Sequence, residues 1–146
     1  MSWREDVSIN KLRLGPTGLV QNVVPEVVTA AKVLTVADNG KTLILSAAAG
    51  VAVTLPAPKA GLKFKFVIGL AFATSNWVVG TNAAAAIIQG NVLVAGAHVA
   101  GSNEKQINFV ATAESLGDWA EVESDGTSWF VSGSAVTSGA ITLTAP

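Results

Sequence analysis

The stretch Leu62-Lys63-Phe64-Lys65-Phe66-Val67-Ile68 decides how this chain is read. Leu62, Phe64, Phe66 and Ile68 alternate with Lys63, Lys65 and Val67. Successive side chains of an extended chain point to opposite faces. This alternation therefore puts four large apolar groups on one face and both lysines on the other. That is the pattern of a half-buried β-strand. No segment sustains the 3.6-residue period of an amphipathic helix.

Working outward, further short strands are predicted at Val33–Val36, Thr42–Ser46, Val51–Leu55, Trp77–Val79, Ile87–Gln89, Val92–Ala95, Gln106–Ala111, Trp119–Ser124, Ser128–Ser132 and Ile141–Thr144. Turn chemistry separates them. Asp38-Asn39-Gly40 tolerates positive φ, Gln89-Gly90-Asn91 interrupts an apolar run, and Pro56 and Pro58 cannot donate to a ladder. Short strands at this spacing predict an all-β fold, a β-sandwich or jelly-roll-like domain over residues 31–146. Residues 1–30 read as an extended N-terminal arm or edge segment. They hold Arg4, Glu5, Asp6, Lys11 and Arg13, then a Gly15-Pro16-Thr17-Gly18 turn and an apolar run closed by Pro25. A short amphipathic helix over residues 3–13 is the competing local reading.

The hairpin around Ser124-Asp125-Gly126-Thr127 carries the most detail. With Asp125-Gly126 as a two-residue type I′ turn, Ser124 faces Thr127 and Val122 faces Trp129. Ala120, Val122, Trp129 and Val131 then form a core face. Trp119, Glu121, Glu123, Ser128, Phe130 and Ser132 form the other, with Trp119 and Phe130 as diagonal neighbours. A three-residue loop would shift the register by one and move Trp129 across. Aromatics beside carboxylates on an outward face suit a contact surface.

Composition says what such a surface is for. Only 13% of the 146 residues are charged and 50% are hydrophobic, whereas soluble domains average about 25% charged. No formal charge occurs from Val67 to Asn103. That stretch is broken by Ser75-Asn76, Thr81-Asn82 and Gln89-Gly90-Asn91, so it holds no run of about 20 apolar residues to span a bilayer. The start, MSWREDVSINKLR, has charges where a signal peptide needs an apolar segment. A net charge of −1 supports neither a nucleic-acid footprint nor a polybasic membrane patch. With no cysteine there is no disulfide framework, which suits synthesis in a reducing cytoplasm. The expectation is a non-membrane protein whose exterior is covered by partner subunits, with the uncharged middle stretch packed between like copies.

Catalytic chemistry has few carriers. The single histidine, His98, lies in a small-residue stretch without a nucleophile elbow, and there is no Cys or Tyr. Glu121 and Glu123 share a strand face about 7 Å apart, a spacing open to paired-carboxylate chemistry or weak calcium binding. A solvated or inter-subunit face is the simpler reading. Asp38, Asp118 and Asp125 sit at Gly-containing turns, where Asp is ordinary. Lys63 and Lys65 lie on the face opposite Phe64 and Phe66, which weakens a nucleic-acid stripe. No catalytic, cofactor-binding or metal residues are assigned, and the chain is expected not to be an enzyme.

Two segments resemble structural proteins of tailed-phage virions. DNGKTLILSAAAGVAVTLPAPKAGLKFKFVIG (Asp38–Gly69) is similar to a run found there: a D-x-G turn, a strand, V-T-L-P, a Gly-led turn and an aromatic alternating strand. GDWAEVESDGTSWFVSG (Gly117–Gly133) resembles the W…SDG…W-x-V-x-G hairpin of the same proteins. The resemblance implies a sandwich or jelly-roll-like domain, commonly a homotrimer, with no enzymatic activity. Within that group it points to a capsid decoration (cement) protein, made in the host cytoplasm and placed on the outer surface of the phage head. Its partners would be the major capsid protein and copies of itself. The expected capsid contacts are Trp3, Arg4, Leu12 and Leu14 in the arm; the expected subunit or partner contacts are Trp119, Phe130 and Trp77. The alternative is a small tail or fibre module that binds a host-surface glycan by stacking sugars on Trp119 or Trp77.

Overall fold

A computed structural model describes residues 24–145 together with the backbone of two short strands, β1 (Arg13–Gly15) and β2 (Gly18–Val20). β1 and β2 pair antiparallel as a sheet of their own. Trp3, Arg4 and Leu12 lie outside the described residues, and Leu14 falls in β1, where only the backbone is described.

From β3 (Glu26–Val28) onward the chain winds. β4 (Lys32–Val33), β5 (Thr42–Leu45), β6 (Ala52–Thr54), β7 (Lys63–Ile68) and β8 (Trp77–Gly80) alternate between two facing sheets. Each pairs in parallel with the strand two places earlier: β3 with β5, β5 with β7, β4 with β6 and β6 with β8. Parallel pairs ordinarily need a long crossover. Here the crossover is the strand in the opposite sheet. Small residues and turns make the corners. After β3–β4, Thr35 donates its N–H to Asp38 Oδ2 at 2.9 Å, and Gly40 sits at φ 82°. The run after β6 passes through Pro56 and Pro58, which cannot extend the ladder.

The second half is built of hairpins. β9 (Ile88–Val94) and β10 (Ala97–Glu104) pair antiparallel, as do β12 (Trp119–Ser124) and β13 (Trp129–Ala135). β11 (Gln106–Phe109) lies between β8 and β14 (Ile141–Thr144). The larger sheet has the order β10-β9-β13-β12-β7-β5-β3 and the smaller β14-β11-β8-β6-β4. The protein is an all-β sandwich of two mixed sheets.

The core between them follows the alternation that marks β7. Phe64 and Phe66 are completely buried, Ile68 and Leu62 nearly so, and Lys63 is exposed. Trp77, Phe109, Trp129, Leu43, Leu45 and Ile107 complete the centre, with Phe64 and Trp129 rings 5.9 Å apart. Burying each of these side chains contributes about 1.5–3 kcal/mol before entropy is charged against it.

Three local expectations are corrected. Val92–Ala95 and Ile87–Gln89 are one strand, β9, because Gly90 sits inside the ladder rather than in a turn. A Cβ there would meet the Val131 carbonyl oxygen at 2.4 Å, so only glycine lets the neighbouring strand this close. The β12–β13 loop is four residues, Asp125–Ser128, with Ser124 opposite Trp129 and Val122 opposite Val131. The Asp125 carboxylate accepts from Thr127 N–H and Ser128 N–H, both at 2.8 Å, and so stabilises the longer turn. A shift of two residues preserves both faces. It does separate Trp119, now opposite Ser134, from Phe130, now opposite Glu123. The third correction is β10, an eight-residue strand absent from the sequence reading.

Candidate interaction surface

Register and alternation align the outward side chains of the larger sheet into rows. One row runs Val27, Ile44, Val67, Trp119, Ser134, Leu93 and His98. Val27 is 62% exposed and Leu93 39% exposed, so the row, apolar except for Ser134 and His98, is open to solvent towards both ends. The next row carries Lys65 opposite Glu121, and the one after it Lys63 opposite Glu123 opposite Phe130. Lys63 Nζ lies 3.1 Å from Glu121 Oε1, a diagonal ion pair. The Lys65 ammonium lies over the Trp119 ring, 4.8 Å from its centre, in cation–π geometry.

The expected contact residues fare differently. Phe130 projects from this face at 49% exposure. Trp119 shares the face but is half-buried under Lys65. Trp77 is corrected: it is completely buried between the sheets, because its strand alternates Trp77 and Val79 inward with Val78 outward. It is a core residue and offers nothing to a partner or a sugar. Glu121 and Glu123 do share a face, but it is an open sheet surface and Glu121 is committed to Lys63. Among the described residues no group of three or more His, Asp or Glu could hold a metal ion, and no helix is long and apolar enough to cross a membrane. His98 is exposed on β10, its Nδ1 2.9 Å from Asn91 Oδ1.

The outer face of the smaller sheet is of another kind. Val33, Thr54, Gly80, Gln106 and Thr144 form one row; Ala52, Val78, Asn108 and Thr142 form the next. No Lys, Asp or Glu stands in either row. Asn108 donates from Nδ2 to the Thr142 and Thr144 hydroxyls at 3.3 and 3.0 Å, so its polar group is satisfied within the face.

Two further features, a charge cluster and a pocket holding one glutamate, are not marked by the sequence. At the β3 edge, Glu26 accepts from Lys32 at 2.6 Å and Lys41 at 2.8 Å, while Lys41 also reaches Asp38 at 2.7 Å. Hydrogen bonds from Lys32, then Lys41, hold the Glu26 carboxyl below its ordinary value. Burial alone would raise Asp38, but the bonds from Lys41 and Thr35 bring it below its ordinary value. Lys32 belongs to the smaller sheet and Glu26 to the larger, so the cluster ties the two together. At one end of the sandwich an open surface pocket of about 400 Å³ is lined by Ala48, Ala71, Phe72, Thr112 and Glu114 among others. Glu114 Oε1 accepts from Phe72 N–H at 2.8 Å, and its other oxygen is buried without a partner. Thr112 is held there at φ 69°, a strained setting for a β-branched residue. Nothing in local sequence marks Glu114, because its setting is made by three loops distant along the chain.

No family model, curated protein or solved structure matches the chain in comparisons with known proteins.

Proposed function

We propose that this chain is a structural subunit of a tailed-phage virion, a capsid decoration protein that binds the major capsid protein and stabilises the head without catalysis. The observation that carries the reading is the uncharged outer face of the smaller sheet, in a chain with half the usual share of charge. Such a face has no charge to repel a neighbour and no ion to desolvate on contact, so it suits cover by other subunits. The resemblance of Asp38–Gly69 and Gly117–Gly133 to virion β-proteins supplies the setting. A ligand that binds only the assembled shell stabilises it by linkage, and many copies acting together hold firmly even when each is weak.

In this reading Trp3, Arg4, Leu12 and Leu14 contact the shell, and Phe130 and Trp119 contact a neighbouring subunit. The glycan-binding alternative has lost support: Trp77 is in the core and one face of Trp119 is covered by Lys65. The test is binding of purified protein to undecorated heads, read by sedimentation and by particle imaging. Deleting residues 1–14 is expected to abolish head occupancy while leaving the folded sandwich intact. Density on the tail instead of the head, or undiminished occupancy after the deletion, would overturn the respective assignment.

A further inference from the structure

Four strands end the two sheets: β3 and β10 in the larger, β4 and β14 in the smaller. An end strand offers a row of unpaired backbone donors and acceptors. Folded proteins blunt such edges by shortness, charge, proline or cover. β3 has three residues, follows Pro25 and carries Glu26; β4 has two and carries Lys32. β14 has four residues and is flanked by β10, with Leu143 packed where Gly101 has no side chain and Thr144 C=O accepting from Lys105 N–H at 2.8 Å. β10 is different. It has eight residues, no proline, and no charge before Glu104. Its irregularity falls at the far end, between Ser102 and Glu104, with Asn103 at φ 60°. Among the described residues, nothing pairs with the outer edge of Ala97-His98-Val99-Ala100-Gly101.

That edge is also held ready. Gln89 and Asn103 exchange two hydrogen bonds, Nε2 to Oδ1 at 2.7 Å and N–H to Oε1 at 3.2 Å. His98 and Asn91 add a third across the same pair of strands. β10 is thereby fixed in register on β9, so little ordering remains to oppose its pairing with another strand.

We propose that this edge pairs antiparallel with the same edge of a second copy, about a two-fold axis at Val99. The strand is self-complementary in that register. Ala97 falls opposite Gly101, His98 opposite Ala100, and Val99 opposite its own counterpart, so each bulkier side chain faces a small one or the central valine. No like charges meet, because the segment has none. A charged partner strand would find no counter-charge here, whereas a second copy matches the edge in length and polarity. An isologous contact of this kind closes as a dimer, the commonest oligomer symmetry. The two larger sheets then run on as one. This pairing gives an even-numbered assembly rather than the trimer the virion resemblance implies, and it does not depend on where the assembly resides.

The absence of cysteine makes the test direct. In the proposed register two Val99→Cys thiols stand on facing Cα atoms about 4.5–5.5 Å apart, inside disulfide reach. Under mild oxidation Val99→Cys is expected to form covalent dimer at least about ten-fold faster than Val136→Cys, a position 75% exposed outside the strand. Sedimentation equilibrium of the unmodified protein should give twice the chain mass. Ala100→Lys, an exposed change that places a charge at each edge, should lower that mass to the monomer with an unchanged circular dichroism spectrum. A monomeric unmodified protein would overturn the proposal. So would equal cross-linking at positions 99 and 136, or a trimer indifferent to Ala100→Lys. Loss of head binding with the dimer intact would count against the capsid reading alone.

Discussion

The wound half of the sandwich, β3 to β8, and the hairpin half, β9 to β14, solve the same problem in opposite ways. In the wound half every strand pairs with one a full turn away, and the crossing to the other sheet is itself a strand. In the hairpin half most pairs are antiparallel, and the parallel exception is β9 with β13. The halves are sewn by β7 to β12 in one sheet and β8 to β11 in the other. A winding places strands by corner geometry, and its corners differ: Gly61 has open space beside it, while a Cβ at Gly50 would meet the Asn76 backbone at 2.3 Å. A hairpin half places them by close backbone approach, and there glycine becomes obligatory. The contrast teaches where the fold is brittle.

Two glycines test this directly. Gly61, at a corner of the winding, has φ 88° with open space where a Cβ would go. Gly90, in the β9–β13 pair, has φ 120° and would put a Cβ 2.4 Å from the Val131 carbonyl. Gly61→Ala carries backbone strain alone, about 1–2 kcal/mol. Gly90→Ala adds a collision with main chain that cannot swing aside, and a loss of about 3 kcal/mol or more is expected. Denaturant unfolding of the two variants checks the difference. Equal losses would mean that the hairpin half yields as readily as the corners.

The same difference governs what was legible in the sequence. The strands β5 to β8 are announced by apolar alternation, as in β7, or by Val- and Leu-rich runs between Gly, Pro and Asn turns, and their positions are legible to within a few residues. β3 lies in the segment read as arm or edge, and the strand expected at Val33–Val36 shares only Val33 with β4, a 3-10 turn occupying Val36–Asp38. The parallel pairing of these strands is not legible, since a strand's sequence says nothing about which sheet receives the next one. In the hairpin half the tip of β9–β10 is Ala95-Gly96, with Ala95 at φ 50°, a residue that carries no turn signal. β10 lies at an edge and buries little: Val99, partly buried against the core, is its one large apolar side chain among small and polar neighbours. A single apolar residue leaves no period to read. The faces of β12 and β13 survived a wrong loop length because the error was two residues; an error of one would have turned Trp129 outward. The surface row from Val27 to His98 spans strands from both halves and exists only once the register is known.

A smaller comparison sits in the core. Trp77 in the winding and Trp129 in the hairpin half are both fully buried, and neither indole N–H has a hydrogen-bond partner. An unsatisfied buried donor costs about 1–3 kcal/mol. Phenylalanine at either place removes that cost while leaving a void, and the two effects oppose each other. Trp77→Phe and Trp129→Phe are therefore each expected to lose about 1 kcal/mol, well under the roughly 3–5 typical of truncating a buried aromatic to alanine. Thermal unfolding of both variants measures it. A full truncation-sized loss in Trp129→Phe alone would show that its tilted contact with Phe64 is the stronger constraint.

The smallest expected effect separates the halves by pH. Glu26, Lys32, Asp38 and Lys41 form one connected cluster in the winding, whereas the ion pair described on the outer face, Lys63 with Glu121, bridges the halves in the open. Glu26 and Asp38 have carboxyl values below their ordinary ones. Their contribution is present above the unfolded values, 4.5 and 3.8, and is lost as pH falls through the lower folded values. Lys41 is raised, by the bond to Asp38 first and Glu26 second. Its contribution is complete below 10.5 and lost as pH climbs through the higher folded value. These side chains are partly exposed, so solvent screens the pairs, and Glu26→Gln is expected to cost only about 0.5 kcal/mol at neutral pH. The decisive reading is the shape of the curve. Glu26→Gln should flatten the fall in stability below pH 4.5, and 1 M salt should shrink the difference from the unmodified protein. An acid limb that Glu26→Gln leaves as steep as in the unmodified protein would mean that the cluster at the β3 edge does not fasten the winding.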